Sequence, residues 1–123
     1  MIVYAKAGLH NILFNQADLH TLTTVAASKD FEKDRLWLNE TEIEINGRGI
    51  TCLLEIRKLA RDRCDESGAV IVKKEDWPQY KVHISSVNTF PTGAGLASSA
   101  AGLACLVAAL AKLYCVEVTH FPV

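Results

Sequence analysis

The sequence has little net charge of either sign, and this absence excludes several classes of protein. Thirteen lysines and arginines stand against fourteen aspartates and glutamates, so the net charge is −1 with the histidines neutral. This balance offers no basic surface for capturing nucleic acid or an anionic membrane. No run approaches the roughly 20 apolar residues that a membrane-spanning helix needs. The opening residues lack the basic region and apolar core of a secretory signal, and we expect a cytoplasmic protein.

Cysteine is too sparse and too irregularly spaced for a disulfide scaffold or a zinc site. The four cysteines form no Cys-x-x-Cys pair, and the four histidines lack metal-binding spacing. We predict that Cys52 and Cys64 share one helix, and that Cys105 and Cys115 share another. Helical partners ten or twelve residues apart lie about 15–18 Å from each other, too far for a disulfide bond. We therefore expect reduced thiols that serve as small core residues.

The remaining composition is that of a globular protein, and its first part predicts strands. Half of the 123 residues are apolar and 22% are charged, which suits one domain. Leu36 and Leu38 alternate with polar positions, as do Ile43 and Ile45. The β-branched run at 21–27 also favours a strand. Asn46-Gly47 then predicts a turn.

Two later stretches have helical periodicity, and a further predicted strand lies between them. The first helix is predicted from about 48 to 65, and Ser67-Gly68 is predicted to end it. Its apolar stripe consists of Leu53, Ile56, Ala60 and Cys64. Residues 69–79 are predicted to form a loop, and residues 81–90 a strand with Val82 and Ile84 on one face and His83 and Ser85 on the other. We interpret His83 as a sheet-surface residue and both tryptophans, Trp37 and Trp77, as packing residues.

The second helix is predicted from Ser98 to Tyr114, after a glycine-rich segment. Its buried stripe is predicted to be Leu103, Leu106, Val107, Leu110 and Tyr114. The segment Thr92-Gly93-Ala94-Gly95-Leu96-Ala97-Ser98-Ser99 leads into it. Glycine allows close approach of the backbone to a ligand, and the first N–H groups of a helix have no partner within it. Together with the positive end of the helix dipole, these donors favour a phosphate group.

Other interpretations of this segment stay open on the residues alone. It is not a Walker A loop, because no Gly-Lys-Ser/Thr follows the glycines. A dinucleotide-binding fingerprint is conceivable, since Gly93-Ala94-Gly95 follows a strand and Glu117 lies about twenty residues further on. The third glycine position of that fingerprint holds Ser98, however. Tight packing of the helix on the sheet, with Ser98 as a helix cap and no ligand, is the simplest alternative.

The segment from Pro91 to Gly102 resembles the phosphate-binding signature of the GHMP kinase superfamily. Its Leu-Ala-Ser-Ser-Ala-Ala-Gly portion is most similar to the mevalonate diphosphate decarboxylase family. The similarity covers roughly residues 15–118, with further matching segments at 18–28, 34–39, 48–59, 81–88 and 108–116. It implies an α+β fold of the ribosomal protein S5 domain 2-like type, with a mostly antiparallel sheet and two main helices. It also implies one partial N-terminal domain over 1–123, incomplete at both ends and without the family's C-terminal domain.

The resemblance implies an activity, cofactors and site residues. The family converts mevalonate 5-diphosphate to isopentenyl diphosphate in isoprenoid and sterol biosynthesis, with ATP and Mg²⁺ as cofactors and with phosphate and carbon dioxide released. By position, Ser99 matches the family's serine that contacts the phosphates of ATP and its bound Mg²⁺. Arg48 matches an arginine that binds the substrate diphosphate. Asn88 would border the nucleotide. Backbone donors around it would come from Gly93, Ala94, Gly95, Leu96, Ala97 and Ser98.

The sequence also departs from that family. Residues 1–14 lack the family's opening strand and its Lys-Tyr-Trp-Gly-Lys motif, and no residue matches the family's catalytic aspartate and arginine. We therefore expect no catalytic residue here, no turnover by this chain alone, and apolar surface left exposed. A sister kinase acting on mevalonate or phosphomevalonate is one alternative. A non-catalytic form that binds nucleotide, forms a homodimer or pairs with the full-length enzyme is another. We expect no nucleic-acid or membrane partner.

Overall fold

The computed structural model describes residues 2–10, 20–88 and 100–116, which form a mixed five-stranded sheet, a small hairpin and two main helices. The predicted α+β class, with a mostly antiparallel sheet, is confirmed. The strands are β1 (Ile2–His10), β2 (His20–Ser28), β3 (Arg35–Leu38), β4 (Thr41–Ile43), β5 (Arg63–Cys64), β6 (Val70–Val72) and β7 (Lys81–Asn88). The helices are α1 (Gly47–Leu59) and α2 (Ala100–Tyr114), and a 3-10 helix spans Lys74–Gln79.

The strand order of the main sheet is β1-β2-β7-β3-β4. All neighbours are antiparallel except β3 and β7, which are parallel. The predicted strands over 21–27 and 36–38 are confirmed within β2 and β3. Residues 2–10 also form a strand, β1, which pairs with β2 at the edge of the sheet. The expectation that the chain lacks a first edge strand is therefore wrong.

The core lies between one face of the sheet and the two helices. α2 packs on β1 and β2, and α1 packs against α2. The buried side chains of the sheet are Val3, Ala7, Val25, Ala27, Leu36, Val82 and Ile84. Of the predicted helical stripes, Leu53, Ile56, Ala60, Leu106, Leu110 and Tyr114 are buried, whereas Leu103 and Val107 are half-buried. No helix in the described part of the chain is long and apolar enough to cross a membrane.

Helix α1 ends earlier than predicted. Its last residue is Leu59 rather than Asp65, and Ala60 has non-helical backbone angles, with a φ of −56° and a ψ of 142°. Arg61 N donates to Tyr114 O of α2 at 2.9 Å instead of continuing the helix. Cys64 consequently lies on β5 and is exposed, so the predictions that it shares a helix with Cys52 and belongs to the core are wrong.

Residues 65–79, predicted to hold a helix end and a loop, have regular structure. Ser67 and Gly68 lie in the turn of the β5–β6 hairpin, where Gly68 has a φ of +89°. The Asp65 carboxylate accepts from Ser67 N at 2.9 Å and Ala69 N at 3.1 Å, which stabilises this turn. β6 and the 3-10 helix follow. Trp77, in that helix, is buried, as predicted for a packing residue.

The region between β3 and α1 also differs in detail from the prediction. β4 is only three residues long, and Ile45 lies beyond its end. Asn46 caps α1 and Gly47 is its first residue, so the predicted Asn-Gly turn is a helix start. The strand predicted to reach Phe90 is described to Asn88, and the helix predicted from Ser98 is described from Ala100. Residues 89–99 lie outside the described part of the chain.

Candidate functional site

The start of α1 carries the predicted substrate-binding residue Arg48. Asn46 Oδ1 accepts a hydrogen bond from Gly49 N at 3.0 Å, which satisfies one of the amide groups that the first turn leaves open. Arg48 is exposed, and the first turn contains no acidic residue. An anion approaching this point meets backbone donors, the positive end of the helix dipole and a guanidinium group. The structure thus confirms where Arg48 lies; its role stays a prediction.

The predicted phosphate-binding segment, Gly93 to Ser99, lies outside the described residues, as does the side chain of Asn88. The elements that flank the segment are described. The backbone of Asn88 pairs with Thr21 of β2, and the Cys105 thiol in α2 lies 3.8 Å from Thr21 O. Cys105 is little more than one turn from the start of α2. The end of β7 and the start of α2 therefore lie at the same end of the sheet, as the predicted strand–segment–helix order requires.

A partly buried ion pair joins α1, the sheet and α2. Asp34 Oδ1 accepts from Arg57 Nη2 at 2.7 Å and from Val82 N at 2.9 Å, and Asp34 Oδ2 accepts from Arg57 Nη1 at 3.0 Å. Arg57 Nε donates to Tyr114 OH at 3.0 Å. Burial raises the pKa of Tyr114, which keeps the hydroxyl protonated. All of these groups are bound to one another, which indicates a structural role.

Arg57 was not among the predicted functional residues. The signal that could have found it is its place next to the buried stripe of α1, directly after Ile56. An arginine at the border of a core stripe is expected to need a carboxylate partner, because an unpaired charge is costly to bury. Nothing in the sequence indicates that Asp34, 23 positions earlier, is that partner.

A groove of about 670 Å³ lies between α1 and the β3–β4 hairpin. Its apolar lining residues are Ile43, Ile45, Ile50, Leu53 and Leu54. Two of its cations are already paired: Arg57 with Asp34, and Arg35 with Glu42 at 2.5 Å. With Lys33, the groove has three cationic lining residues and three carboxylates, Asp34, Glu42 and Glu44, so its lining carries no net positive charge for a phosphate. Arg48 is not among the lining residues.

His83 lies on the sheet face opposite the helices, as predicted for a surface histidine. Its ring stacks on Phe31 with centroids 3.6 Å apart and meets the edge of Trp37 at 5.2 Å. Burial, and then the nearby Arg35 guanidinium, lower the pKa of His83, so its ring is neutral at pH 7. Among residues 2–10, 20–88 and 100–116, no group of three or more His, Cys, Asp and Glu side chains is placed to hold a metal ion.

The mixed sheet with two helices on one face defines an α+β domain. In the sequence, the glycine-rich segment lies between β7 and α2 of this domain. One family of domains matches this chain. Residues 10–122 match the family described as diphosphomevalonate decarboxylase-like N-terminal domain, and the chain belongs to this family. The resemblance noted in the sequence is therefore confirmed.

Individual relatives agree with this assignment. The chain is 48% identical over 108 residues to diphosphomevalonate decarboxylase of Rattus norvegicus, a match that covers 87% of this chain and 26% of the relative. Its structure is similar to that of mevalonate diphosphate decarboxylase from Trypanosoma brucei, with a TM-score of 0.63, 24% identity, and coverage of 96% of this chain and 35% of that one.

A second solved structure, MDDEF in complex with MVAPP, AMPPCP and magnesium, has a TM-score of 0.56 and 21% identity, and the match covers 99% of this chain and 39% of that one. At 24% and 21% sequence identity, the two structures support the assignment of the fold alone. The chain spans about a quarter of the length of the curated relatives it matches.

Proposed function

We propose that this chain supplies the nucleotide- and diphosphate-binding part of a diphosphomevalonate decarboxylase. In this proposal the complete site uses ATP to convert mevalonate 5-diphosphate to isopentenyl diphosphate, with loss of phosphate and carbon dioxide. The observation that carries the proposal is the start of α1, where Arg48 is exposed beside a capped and carboxylate-free first turn. Membership of the family supports it.

Charge and geometry at the two helix starts fit phosphate ligands. Neither α1 nor α2 has an acidic residue in its first turn, so no carboxylate there repels an anion. The planar guanidinium of Arg48 offers paired donors that match phosphate oxygens. Gly47 has open space around the position of a Cβ atom, which leaves the helix start accessible. We assign the substrate diphosphate to this end of α1.

We assign ATP and Mg²⁺ to residues 93–99, with Asn88 beside the nucleotide. MDDEF, with the same fold, was solved with MVAPP, AMPPCP and magnesium, which supports extending these ligand classes to this chain. In this assignment the Ser99 hydroxyl contacts the phosphates and magnesium, and backbone N–H groups from Gly93 to Ser98 surround the nucleotide. When bound, Mg-ATP supplies the phosphoryl group; this chain's residues hold and orient its phosphates.

Ligand binding to the isolated chain tests the proposal through thermal unfolding. A ligand that binds only the folded state at a hundredfold excess over its Kd stabilises that state by ~2.7 kcal/mol, which raises Tm by several degrees for a domain of this size. We expect Mg-ATP and mevalonate 5-diphosphate each to raise Tm. Ser99→Ala is expected to weaken the shift with Mg-ATP, and Arg48→Ala the shift with the diphosphate alone.

Arg61→Ala is the matched control, because Arg61 is also an exposed arginine but lies beyond the other end of α1. It is expected to leave both shifts unchanged. A cooperative unfolding transition that neither ligand moves would contradict the proposal, as would equal losses in Arg48→Ala and Arg61→Ala.

A second candidate function is non-catalytic, because the start of α1 offers donors that can hold a phosphate but no acidic residue that could act on a hydroxyl group. In that case the chain binds nucleotide or pairs with a full-length decarboxylase, and has no turnover alone. Incubation of the pure chain with mevalonate 5-diphosphate and Mg-ATP separates the candidates: we expect no carbon dioxide from it. Carbon dioxide release would show a complete site, whereas phosphorylated product without carbon dioxide would indicate a sister kinase. Co-purification with a full-length decarboxylase would support pairing.

A further inference from the structure

Strand β1 is a long edge strand with apolar side chains exposed. It spans nine residues, and within residues 2–10, 20–88 and 100–116 no strand pairs with its outer side. Ile2 and Tyr4 are 43% and 58% exposed. An edge of this length presents unpaired backbone groups that another strand can join, and folded proteins commonly block such edges.

Two cationic side chains occupy the outer side of β1. Arg63 Nη2 donates to Tyr4 O at 3.1 Å, and Lys112 Nζ donates to Lys6 O at 3.2 Å. In an antiparallel pair, alternate residues direct their N–H and C=O groups to the same side. Tyr4 and Lys6 are such alternate residues, so their carbonyl oxygens point to the same side of β1. Both oxygens accept from side chains outside the β1–β2 pair, and we take this to be the side that faces away from β2. A pairing strand would need these same oxygens as acceptors.

Arg63 is held in place by a second set of contacts. Its Nη1 donates to Lys112 O and to Leu113 O, both at 3.0 Å, at the end of α2. The last carbonyl groups of a helix have no partner within it and carry partial negative charge, so a guanidinium group is favourable there. Arg63 thereby links β5, the end of α2 and the edge of β1. Its position depends on the packed fold.

We propose that Arg63 and Lys112 block the outer edge of β1 against antiparallel pairing with β1 of a second copy of this chain. An added strand would lie about 4.8 Å from β1, in the space that the two cationic groups occupy. A second copy is the occupant that fits, because β1 paired with itself forms a closed twofold contact in which each copy covers the other's edge. The same contact would bring Ile2 and Tyr4 of both copies into one continuous sheet.

The test is the mass of the chain in solution when the two cations are removed. We expect Arg63→Ala/Lys112→Ala to show a roughly twofold rise in weight-average mass between about 1 and 100 µM, while the unchanged chain does not associate through this edge. Salt at about 0.5 M screens repulsion between the Lys6 side chains of the two copies. Lys58→Ala/Lys73→Ala removes two other exposed cations and is the charge-matched control.

A third variant distinguishes pairing through the edge from aggregation of unfolded chains. Tyr4→Pro, added to the double variant, removes an outward-facing N–H that the second copy needs, and proline is tolerated at such edge positions. We expect it to restore the low mass. If the Arg63→Ala/Lys112→Ala variant does not fold, Arg63→Gln/Lys112→Ala is used in its place, because the glutamine amide can still donate to the carbonyl groups at the end of α2. A folded double variant that stays monomeric, or association that Tyr4→Pro leaves unchanged, would overturn the proposal.

Discussion

Asp34 is the residue through which several distant parts of the chain meet. Its carboxylate accepts two hydrogen bonds from Arg57 and one from Val82 N, so it connects the segment before β3 with α1 and β7. Burial by itself raises the pKa of Asp34. The hydrogen bonds from the Arg57 guanidinium and the Val82 amide, with the charge of Arg57, lower this pKa by more than burial raises it, so it lies below the usual 3.8. The ionised carboxylate is therefore the form that stabilises the fold.

We expect Asp34→Asn to lower the free energy of unfolding at pH 7 by about 2–4 kcal/mol, because Arg57 then keeps a partly buried charge without a carboxylate. The pH dependence has a definite sign. A carboxyl group whose pKa is lowered on folding contributes stability above its unfolded pKa, and that contribution is lost as the pH falls through the folded value. Urea unfolding from pH 7 to pH 2 should thus show the variant and the unchanged chain converging below about pH 4.

Asp30→Asn is the matched control for this prediction, because Asp30 is exposed in the nearby turn after β2. It is expected to change the free energy of unfolding by less than about 0.5 kcal/mol. Equal losses in the two variants, or a difference that persists unchanged at pH 2, would show that the ion pair does not carry this stability.

At the scale of elements, the β3–β4 hairpin contains a turn that its residues do not favour. Asn39 and Glu40 connect the two strands with φ angles of 47° and 72°. Two-residue hairpins with positive φ at both positions prefer Asn-Gly, since glycine has no Cβ to clash in this conformation. Asparagine suits the first position, whereas glutamate at the second adopts a conformation that costs ~1–2 kcal/mol.

We expect Glu40→Gly to raise the free energy of unfolding by about 0.5–1 kcal/mol, since relief of the left-handed strain exceeds the added entropy of glycine in the unfolded chain. The measurement is the urea midpoint at constant slope. Glu44→Gly, which places glycine at an exposed position without positive φ, is expected to be neutral or destabilising. Stabilisation by Glu44→Gly of the same size would contradict the explanation.

At the scale of the whole molecule, the sheet has a covered face and an open face. The helices lie on one side, and four large apolar residues on the other are 41–58% exposed: Ile2, Tyr4, Leu22 and Val87. Leu22 and Val87 are directly paired across β2 and β7. The expected exposure of apolar surface is thus present in the described strands.

We expect Leu22→Thr/Val87→Thr to reduce binding of the dye ANS to the folded chain, because the variant removes adjoining apolar side chains and keeps β-branched residues in both strands. The free energy of unfolding should change by less than about 1 kcal/mol, since both side chains are exposed. Leu54→Gln, an equally exposed site on α1, serves as the control and should leave most of the dye signal. Unchanged dye binding in the double variant would place the apolar surface elsewhere.

Local patterns alone determined much of the fold and part of the candidate site. Alternation predicted β3 and β7, because a strand with one buried face repeats every two residues, and β-branched residues predicted β2. The 3.6-residue period predicted most of the buried stripe of each helix; Cys64, on β5, is the exposed exception, and Leu103 and Val107 are half-buried. Arg48 could be assigned to a helix start from its neighbours, and the glycine-rich segment could be recognised as a motif.

Only the tertiary structure decided where α1 ends and which elements come after it. Arg61-Asp62-Arg63 contains no helix-breaking residue, so its periodicity could not predict a stop after Leu59. Contacts from remote segments replace the helical pattern there: Tyr114 O accepts from Arg61 N, and Arg61 O accepts from Trp77 Nε1 at 2.8 Å. The partnership of Asp34 with Arg57 and the position of Arg63 at the edge of β1 arise in the same way. A local pattern reports how one segment buries its own face, whereas these hydrogen bonds form only after segments far apart in sequence have packed together.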